Sequence, residues 1–374
     1  MKKPHNLQLL IKPASSSCNI RCTYCFYYDI CSIREEENYG IMTDNVLETL
    51  IRKSFAYADS QVSIVFQGGE PTLAGLNFFE KYINLVQKYN KNKLSVNHGI
   101  QTNGMTLNQE WAEFFKKHSF LVGVSIDGTK ESHNTFRIDT KGDGTFDQVW
   151  ASIKLLQKYQ VDFNILTVIN SATAVRAKEI YNFYKENDLR YQQYIPCLNP
   201  LENPNFNYPF TLTNDLYAKF LCELFDVWYR DVIRGNLIYV SNFENYLAML
   251  LGIPPGTCGM TGHCTPHMVV EADGSFYPCD FYVLDEYKIG NIMEDDYAKI
   301  EQRLHSTKLL EESKPIAEPC KNCKYFKICR GGCRRHREPL IVDGSVNLNR
   351  FCKAYKQFFN YALPRLKYLG SKIL

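Results

Sequence analysis

Apolar and polar positions along the first 200 residues alternate between two periods. Short apolar, β-branched runs at Leu9–Pro13, Val62–Phe66, Val96–Ile100, Leu121–Ile126, Phe163–Ile169 and Tyr191–Pro196 end in glycine or polar residues, the signature of six strands. Between them the period lengthens to that of a helix. Thr43 is a good N-cap with Val46, Leu50 and Ile51 on one face behind it, and Val149, Ile153 and Leu156 repeat that spacing. Phe78–Lys88, Gln109–Lys117 and Ala174–Glu186 are also helical patterns. Strands alternating with helices predict parallel βαβ units, and six strands rather than eight predict an open, partial (β/α)6 barrel.

Chemistry gathers where the strands end. The first strand runs into Cys18, Cys22 and Cys25, and the second into Gln67-Gly68-Gly69-Glu70-Pro71. The third leads to Gln101-Thr102-Asn103-Gly104, the fourth to Ser125-Ile126-Asp127-Gly128, and the sixth to Cys197-Leu198-Asn199. Strand C-termini are where a (β/α) barrel builds its active site. Two amphipathic helices, Thr213–Arg234 and Asn242–Leu251, lead out of the barrel. Met268–Cys279 then reads as a hairpin with a type I′ turn at Asp273-Gly274, and Ala354–Leu369 as a last helix kinked by Pro364. The expected division is residues 1–234 for the barrel and 235–374 for a second, cysteine-rich domain.

Composition changes this picture at one point. The 374 residues are 45% hydrophobic and 22% charged, which excludes wholesale disorder. Forty-three basic against 40 acidic residues leave +3, no global attraction to nucleic acid or an anionic membrane. The longest apolar run worth testing, Tyr246–Ile253, falls far short of the ~20 residues of a spanning helix. Lys2 and Lys3 ahead of Leu9–Ile11 loosely mimic a lipoprotein signal, but Lys12 and Pro13 break the run. The unusual number is 14 cysteines. With a cytoplasmic, reducing location expected, they are ligands or nucleophiles rather than disulfides.

Cys18-x3-Cys22-x2-Cys25 presents three thiolates from one loop, one short of a closed zinc site. It suits a 4Fe–4S cluster with one iron open, although a mixed zinc site with a distant ligand has the same local look. Farther on, Cys258-x5-Cys264-x14-Cys279 and Cys320-x2-Cys323-x5-Cys329-x3-Cys333-x18-Cys352 supply eight more thiolates. They suffice for two four-cysteine sites, of zinc or of iron and sulfur. Arg330, Arg334, Arg335 and Arg337 form a basic run with no aromatic stacking pattern, so nucleic-acid binding is not expected. Cys31, Cys197 and Cys222 receive no role, Cys222 reading as core on an amphipathic helix.

The N-terminal triad with Tyr24 and Phe26 beside its last cysteine resembles the cluster motif of radical S-adenosylmethionine (SAM) enzymes, and Gly68-Gly69-Glu70-Pro71 resembles that family's second motif. The later cysteines resemble the SPASM extension with its two auxiliary clusters. By that resemblance Cys258, Cys264, Cys279 and Cys333 hold the nearer auxiliary cluster, and Cys320, Cys323, Cys329 and Cys352 the farther one. The likeness is closest to the anaerobic sulfatase-maturating enzymes. It is carried by Leu10-Ile-Lys-Pro-Ala-Ser-Ser16, Phe66-Gln-Gly-Gly-Glu-Pro-Thr-Leu-Ala-Gly75, Gln101-Thr-Asn-Gly104, Tyr277-Pro-Cys-Asp-Phe-Tyr-Val-Leu284 and Cys329-Arg-Gly-Gly-Cys-Arg-Arg335.

That resemblance implies three 4Fe–4S clusters, SAM, and oxidation of a cysteine or serine in a Cys/Ser-x-Pro/Ala-x-Arg segment of a sulfatase to Cα-formylglycine. It implies an electron donor such as flavodoxin or ferredoxin. Carried over by position, Tyr24, Gly69, Ser125, Arg137 and Leu198 contact SAM, Gln67 and Gln101 line the peptide groove, and Asp280 removes the substrate proton. Read without that context, Asp280 is a solvated turn aspartate. Two other readings share parts of the pattern. A SPASM enzyme forming a thioether or epimerising another peptide has the same cluster motifs, and a non-enzymatic zinc-binding module has the same cysteine count.

Overall fold

The computed structural model describes residues 6–373, so Lys2 and Lys3 lie outside the described residues. Six parallel strands form its centre: β1 (Asn6–Ile11), β2 (Gln61–Phe66), β3 (Ser95–Thr102), β4 (Phe120–Ser125), β5 (Phe163–Ile169) and β6 (Tyr191–Pro196), paired in sequence order. The expected strands are all present. β1 begins and ends earlier than its apolar run, because Pro13 has no N–H for the ladder and the last sheet bond is made by Lys12.

Helices α1 (Phe26–Ser32), α2 (Asp44–Tyr57), α3 (Leu76–Tyr89), α4 (Gln109–Lys117), α5 (Lys130–Asn134), α6 (Phe146–Lys158) and α7 (Ala177–Glu186) fill the connections. Thr43 caps α2, its side chain accepting from Val46 N–H at 3.3 Å. α7 starts three residues later than its pattern, since Asn170 and Thr173 form a hydrogen-bonded turn before it. Phe66, Phe79, Tyr82 and Phe120 interlock edge to face between the sheet and its helices, a packing that fixes the strand ends above them.

The sheet does not stop at β6. β7 (Tyr239–Val240) extends one edge, and on the other β8 (Met268–Val270) pairs parallel with β1, Leu9 opposite Met268 and Ile11 opposite Val270. β9 (Ser275–Tyr277) and β10 (Gly290–Asn291) follow antiparallel, giving ten strands in one sheet. The cysteine-rich region is thus stitched to the barrel by backbone hydrogen bonds. Its hairpin turn is not type I′. Asp273 keeps a negative φ and only Gly274 is left-handed at +86°, so Ala272-Asp273-Gly274 is a three-residue loop with a glycine bulge. Gly274 also has no room for a Cβ, which would sit 2.9 Å from Ile292.

Helices α8 (Asn214–Ile233) and α9 (Ser241–Leu250) pack against the final helix, Cys352–Ile373, through Phe225, Phe243 and Phe358. That helix continues past Pro364 and starts at Cys352, two residues before the expected start. Among the described residues no helix is long and apolar enough to cross a membrane.

Candidate active site

The loop after β1 carries Cys18, Cys22 and Cys25 and is pinned from below. Arg21 N–H donates to Ile138 O at 2.7 Å, Thr23 N–H to Phe136 O at 3.0 Å, and Cys25 N–H to Cys22 O at 3.1 Å. Two donors aim at the sulfurs: Asn103 Nδ2 lies 3.6 Å from Cys18 Sγ and Arg137 Nη1 3.9 Å from Cys22 Sγ. Burial pushes the thiols up, Cys18 to about 11 and Cys22 to about 12, so a metal must displace their protons on binding.

Gly69 marks a tight approach of backbone to backbone. Its N–H donates to Ser15 O at 2.9 Å, and a Cβ there would lie 2.1 Å from Ser17 O. Only glycine lets these two loops meet. Glu70 holds them. Fully buried, it accepts from Thr72 N–H and Thr72 Oγ1 (3.0 and 2.6 Å), Thr102 Oγ1 (2.8 Å) and Asn103 N–H (2.7 Å). The β2 and β3 loops are thereby locked together beside the cysteine loop.

Arg137 is buried and ion-paired with Asp127, Nε to Oδ2 at 2.9 Å. Tyr24 donates to the same carboxylate, and Val168 N–H reaches Oδ1 at 2.9 Å. His133 Nδ1 accepts from Asp127 N–H at 3.2 Å, leaving Nε2 to meet Thr145 Oγ1 at 3.0 Å. Burial, and after it the charge of Arg137, lowers His133 to about 3, so it is neutral. Tyr24 and Leu198, far apart in sequence, line a common cavity of about 200 Å³ with Cys25, Pro200 and Phe210. Gln101 Nε2 donates to Ser125 Oγ at 3.1 Å, across Gly123, where a Cβ would strike Gln101 at 2.1 Å.

Asp280 opens a 3-10 turn directly after Cys279 and is not a solvated turn residue, its side chain being only 15% exposed. It accepts from Tyr27 Oη and, at 3.2 Å, from Gln67 Nε2, which also donates to Tyr27 Oη at 2.6 Å. Burial raises its carboxyl above the ordinary range, while Lys12 and Tyr27 pull it back. Asp127, His133, Tyr27 and Lys12 received no role from the sequence. For Asp127, Lys12 and Tyr27 the available signal was their position beside a strand end or the cysteine loop, whereas His133, on α5, carried none.

The other eight thiols separate into two groups by mutual electrostatics. Cys333 feels Cys264 and Cys258, and Cys279 feels Cys333 and Cys264. Cys320, Cys323, Cys329 and Cys352 feel one another and line one pocket with Tyr325, Tyr355 and Phe359. Among the described residues no three Cys, His, Asp or Glu side chains converge on a single-ion site. Three thiols in the first loop match the ligand count of a 4Fe–4S cluster with one iron open, and four in each later group match that of a closed one. Three of the four arginines of the run are internal as well, Arg330 being half-exposed. Arg334 pairs with Glu338 at 2.9 Å, Arg335 donates to Asn199 O at 2.6 Å, and Arg337 to Ser313 O at 2.9 Å. Cys31 and Cys197 are buried and Cys222 packs against the core.

Residues 13–184 match the radical SAM superfamily, and residues 262–324 match an iron–sulfur cluster-binding domain, SPASM. Over 368 residues the chain is 45% identical to a cysteine-type anaerobic sulfatase-maturating enzyme of Clostridium novyi, covering 98% of each. It belongs to the anaerobic sulfatase-maturating enzymes. A serine-type relative from Bacteroides thetaiotaomicron is 31% identical, over 98% of this chain and 92% of its own. The solved structure of native anSMEcpe with bound AdoMet and Cp18Cys peptide superposes with a TM-score of 0.93 at 44% identity, over 99% of this chain and 100% of that one. SuiB of Streptococcus suis bound to its precursor peptide SuiA shares the fold, with a TM-score of 0.62 at 18% identity over 93% of this chain and 76% of that one. This anaerobic sulfatase-maturating enzyme is therefore a radical SAM oxidoreductase that uses 4Fe–4S clusters.

Proposed function

We propose that this enzyme oxidises a cysteine in a Cys-x-Pro/Ala-x-Arg segment of a sulfatase to Cα-formylglycine. The cysteine-type choice rests on 44–45% identity to cysteine-type relatives against 30–31% to serine-type ones. The observation that carries the reading is Asp280, a carboxylate held by Tyr27 and Gln67 between the N-terminal cysteine loop and the quartet that includes its neighbour Cys279.

Cys18, Cys22 and Cys25 hold the SAM cluster, and Tyr24, Gly69, Ser125, Arg137 and Leu198 contact SAM. Cys258, Cys264, Cys279 and Cys333 hold the nearer auxiliary cluster; Cys320, Cys323, Cys329 and Cys352 hold the farther one. The chemistry these groups supply when bound is removal of one hydrogen atom and one electron from the target Cβ. The chain's residues do the rest. Gln67 and Gln101 orient the peptide, Asp280 takes the thiol proton, and a thioaldehyde results that water converts to aldehyde and hydrogen sulfide. Arg137, fixed by Asp127, faces Cys22 and tunes the environment of its sulfur. An external one-electron donor such as flavodoxin or ferredoxin supplies the reducing equivalent. The barrel is residues 1–234 and the SPASM-type domain 235–374.

The test is anaerobic reconstitution with SAM, a reductant and a peptide carrying the segment, followed by mass spectrometry. Aldehyde at the target cysteine supports the reading. A thioether or an epimerised residue on another peptide, with no aldehyde on this one, overturns it.

A further inference from the structure

Lys12 lies at the end of β1, where its N–H donates to Val270 O at 2.8 Å and closes the seam between barrel and hairpin. Its side chain is fully buried. The stem passes Gly68, whose backbone sits at φ +137° and where a Cβ would come within 3.1 Å of Lys12 Cβ and 3.3 Å of Lys12 Cε. A glycine in a strained conformation therefore makes room for the lysine to reach inward. At its tip, Nζ stands 4.3 Å over the Tyr27 ring and 3.9 Å from Asp280 Oδ1.

Both of those facing atoms, Lys12 Nζ and Asp280 Oδ1, are buried without a hydrogen-bond partner. The neighbouring buried carboxylate, Glu271, is already taken by Arg34 at 2.9 Å. A structural ion pair sealed from water closes to about 2.8 Å, because only direct hydrogen bonding offsets the desolvation of two charges. This pair stands open. A group that donates to Oδ1 while accepting from Nζ completes a triangle that the 3.9 Å separation allows. A thiol or hydroxyl can do both.

We propose that Lys12 is a catalytic residue whose ammonium binds the side-chain sulfur of the target cysteine and stabilises the negative charge left there when Asp280 takes its proton. This rests on the sulfatase-maturation reading above. In that step the S–H bond breaks, an O–H bond forms on Asp280, and the bonding electron pair stays on sulfur, facing Nζ.

The test uses reconstituted full-length enzyme and a Cys-x-Pro-x-Arg peptide. Lys12→Met keeps the apolar stem, one atom shorter, and removes the charge, and Lys12→Ala removes Cγ through Nζ, the atoms of propylammonium. With iron content matched to wild type, Lys12→Met should lose roughly 10²-fold in formylglycine kcat, the loss typical of one preorganised donor, with KM within about threefold. Propylammonium should raise the rate of Lys12→Ala and leave Lys12→Met unchanged, since methionine fills the space. Near wild-type kcat in Lys12→Met, or rescue of both variants or of neither, overturns the proposal. If Lys12→Met does not retain iron, Lys12→Ala with and without propylammonium decides alone. No formylglycine from the wild-type enzyme would instead sink the functional reading, leaving the two failures distinguishable.

Discussion

Gln67 Nε2 donates to Asp280 Oδ2 at 3.2 Å, joining the end of β2 to a residue 213 positions later. The contact places a carboxylate of the SPASM-type region over the C-terminal rim of the barrel. The pairing of β8 with β1 docks the hairpin that leads to Cys279 and Asp280 against the barrel.

Asp280→Asn tests the carboxylate. Asparagine keeps the size but cannot take a substrate proton, and hydrogen-atom abstraction precedes that step. SAM cleavage in the presence of peptide should persist, while formylglycine falls by roughly 10² or more. Deoxyadenosine and formylglycine measured in the same reaction give the coupling ratio. An unchanged ratio means the base is elsewhere.

Replacing Cys18, Cys22 and Cys25 together by alanine should leave roughly eight irons per chain, against about twelve in the intact enzyme. Deoxyadenosine formation should stop. Continued SAM cleavage in this variant would remove the triad from the SAM site, and a stable wild-type protein with two zincs and little iron would contradict the cluster assignment altogether.

Glu70→Gln probes the clasp between two loops. One carboxylate oxygen becomes an NH2 group facing either the Asn103 N–H or the three donors at Oε1, so a buried donor loses its acceptor. The expected cost is about 1–3 kcal/mol, read by denaturant unfolding, with weaker SAM binding because Gly69 shares the loop. Unchanged stability would show that the loop rests on Gly69 packing instead.

Acid should unfold the enzyme through its buried histidines. Burial lowers His133 and His336 to about 3 and His98 to about 4 from an ordinary value near 6.5. The unfolded chain therefore takes up protons that the folded chain refuses, so stability is full above about pH 6.5 and is lost as pH falls toward 4. Each such group removes about 2 kcal/mol by pH 5. Denaturation midpoints from pH 7 to pH 5 measure the slope, which His133→Gln should reduce. A flat profile would place these histidines in contact with water.

The βαβ alternation, the cysteine spacings and the Gly68-Gly69-Glu70-Pro71 segment were all legible in the sequence, because each is written within a few consecutive residues. Helix α4 and strands β5 and β6 match their patterns to the residue, since period and flanking polar residues are local properties. The hairpin turn was misread for a related reason. Asp-Gly favours a left-handed glycine in both turn types, and the register set by β8 and β9 selects the three-residue loop. Tertiary structure alone decided that β8 pairs with β1, that Arg334, Arg335 and Arg337 turn inward, and that Asp127 joins Tyr24 to Arg137. It also decided that Lys12, Tyr27, Gln67 and Asp280 converge. These contacts span tens to hundreds of residues. Which surfaces meet across such distances depends on burying the whole sheet and satisfying its edge, and no local period encodes that.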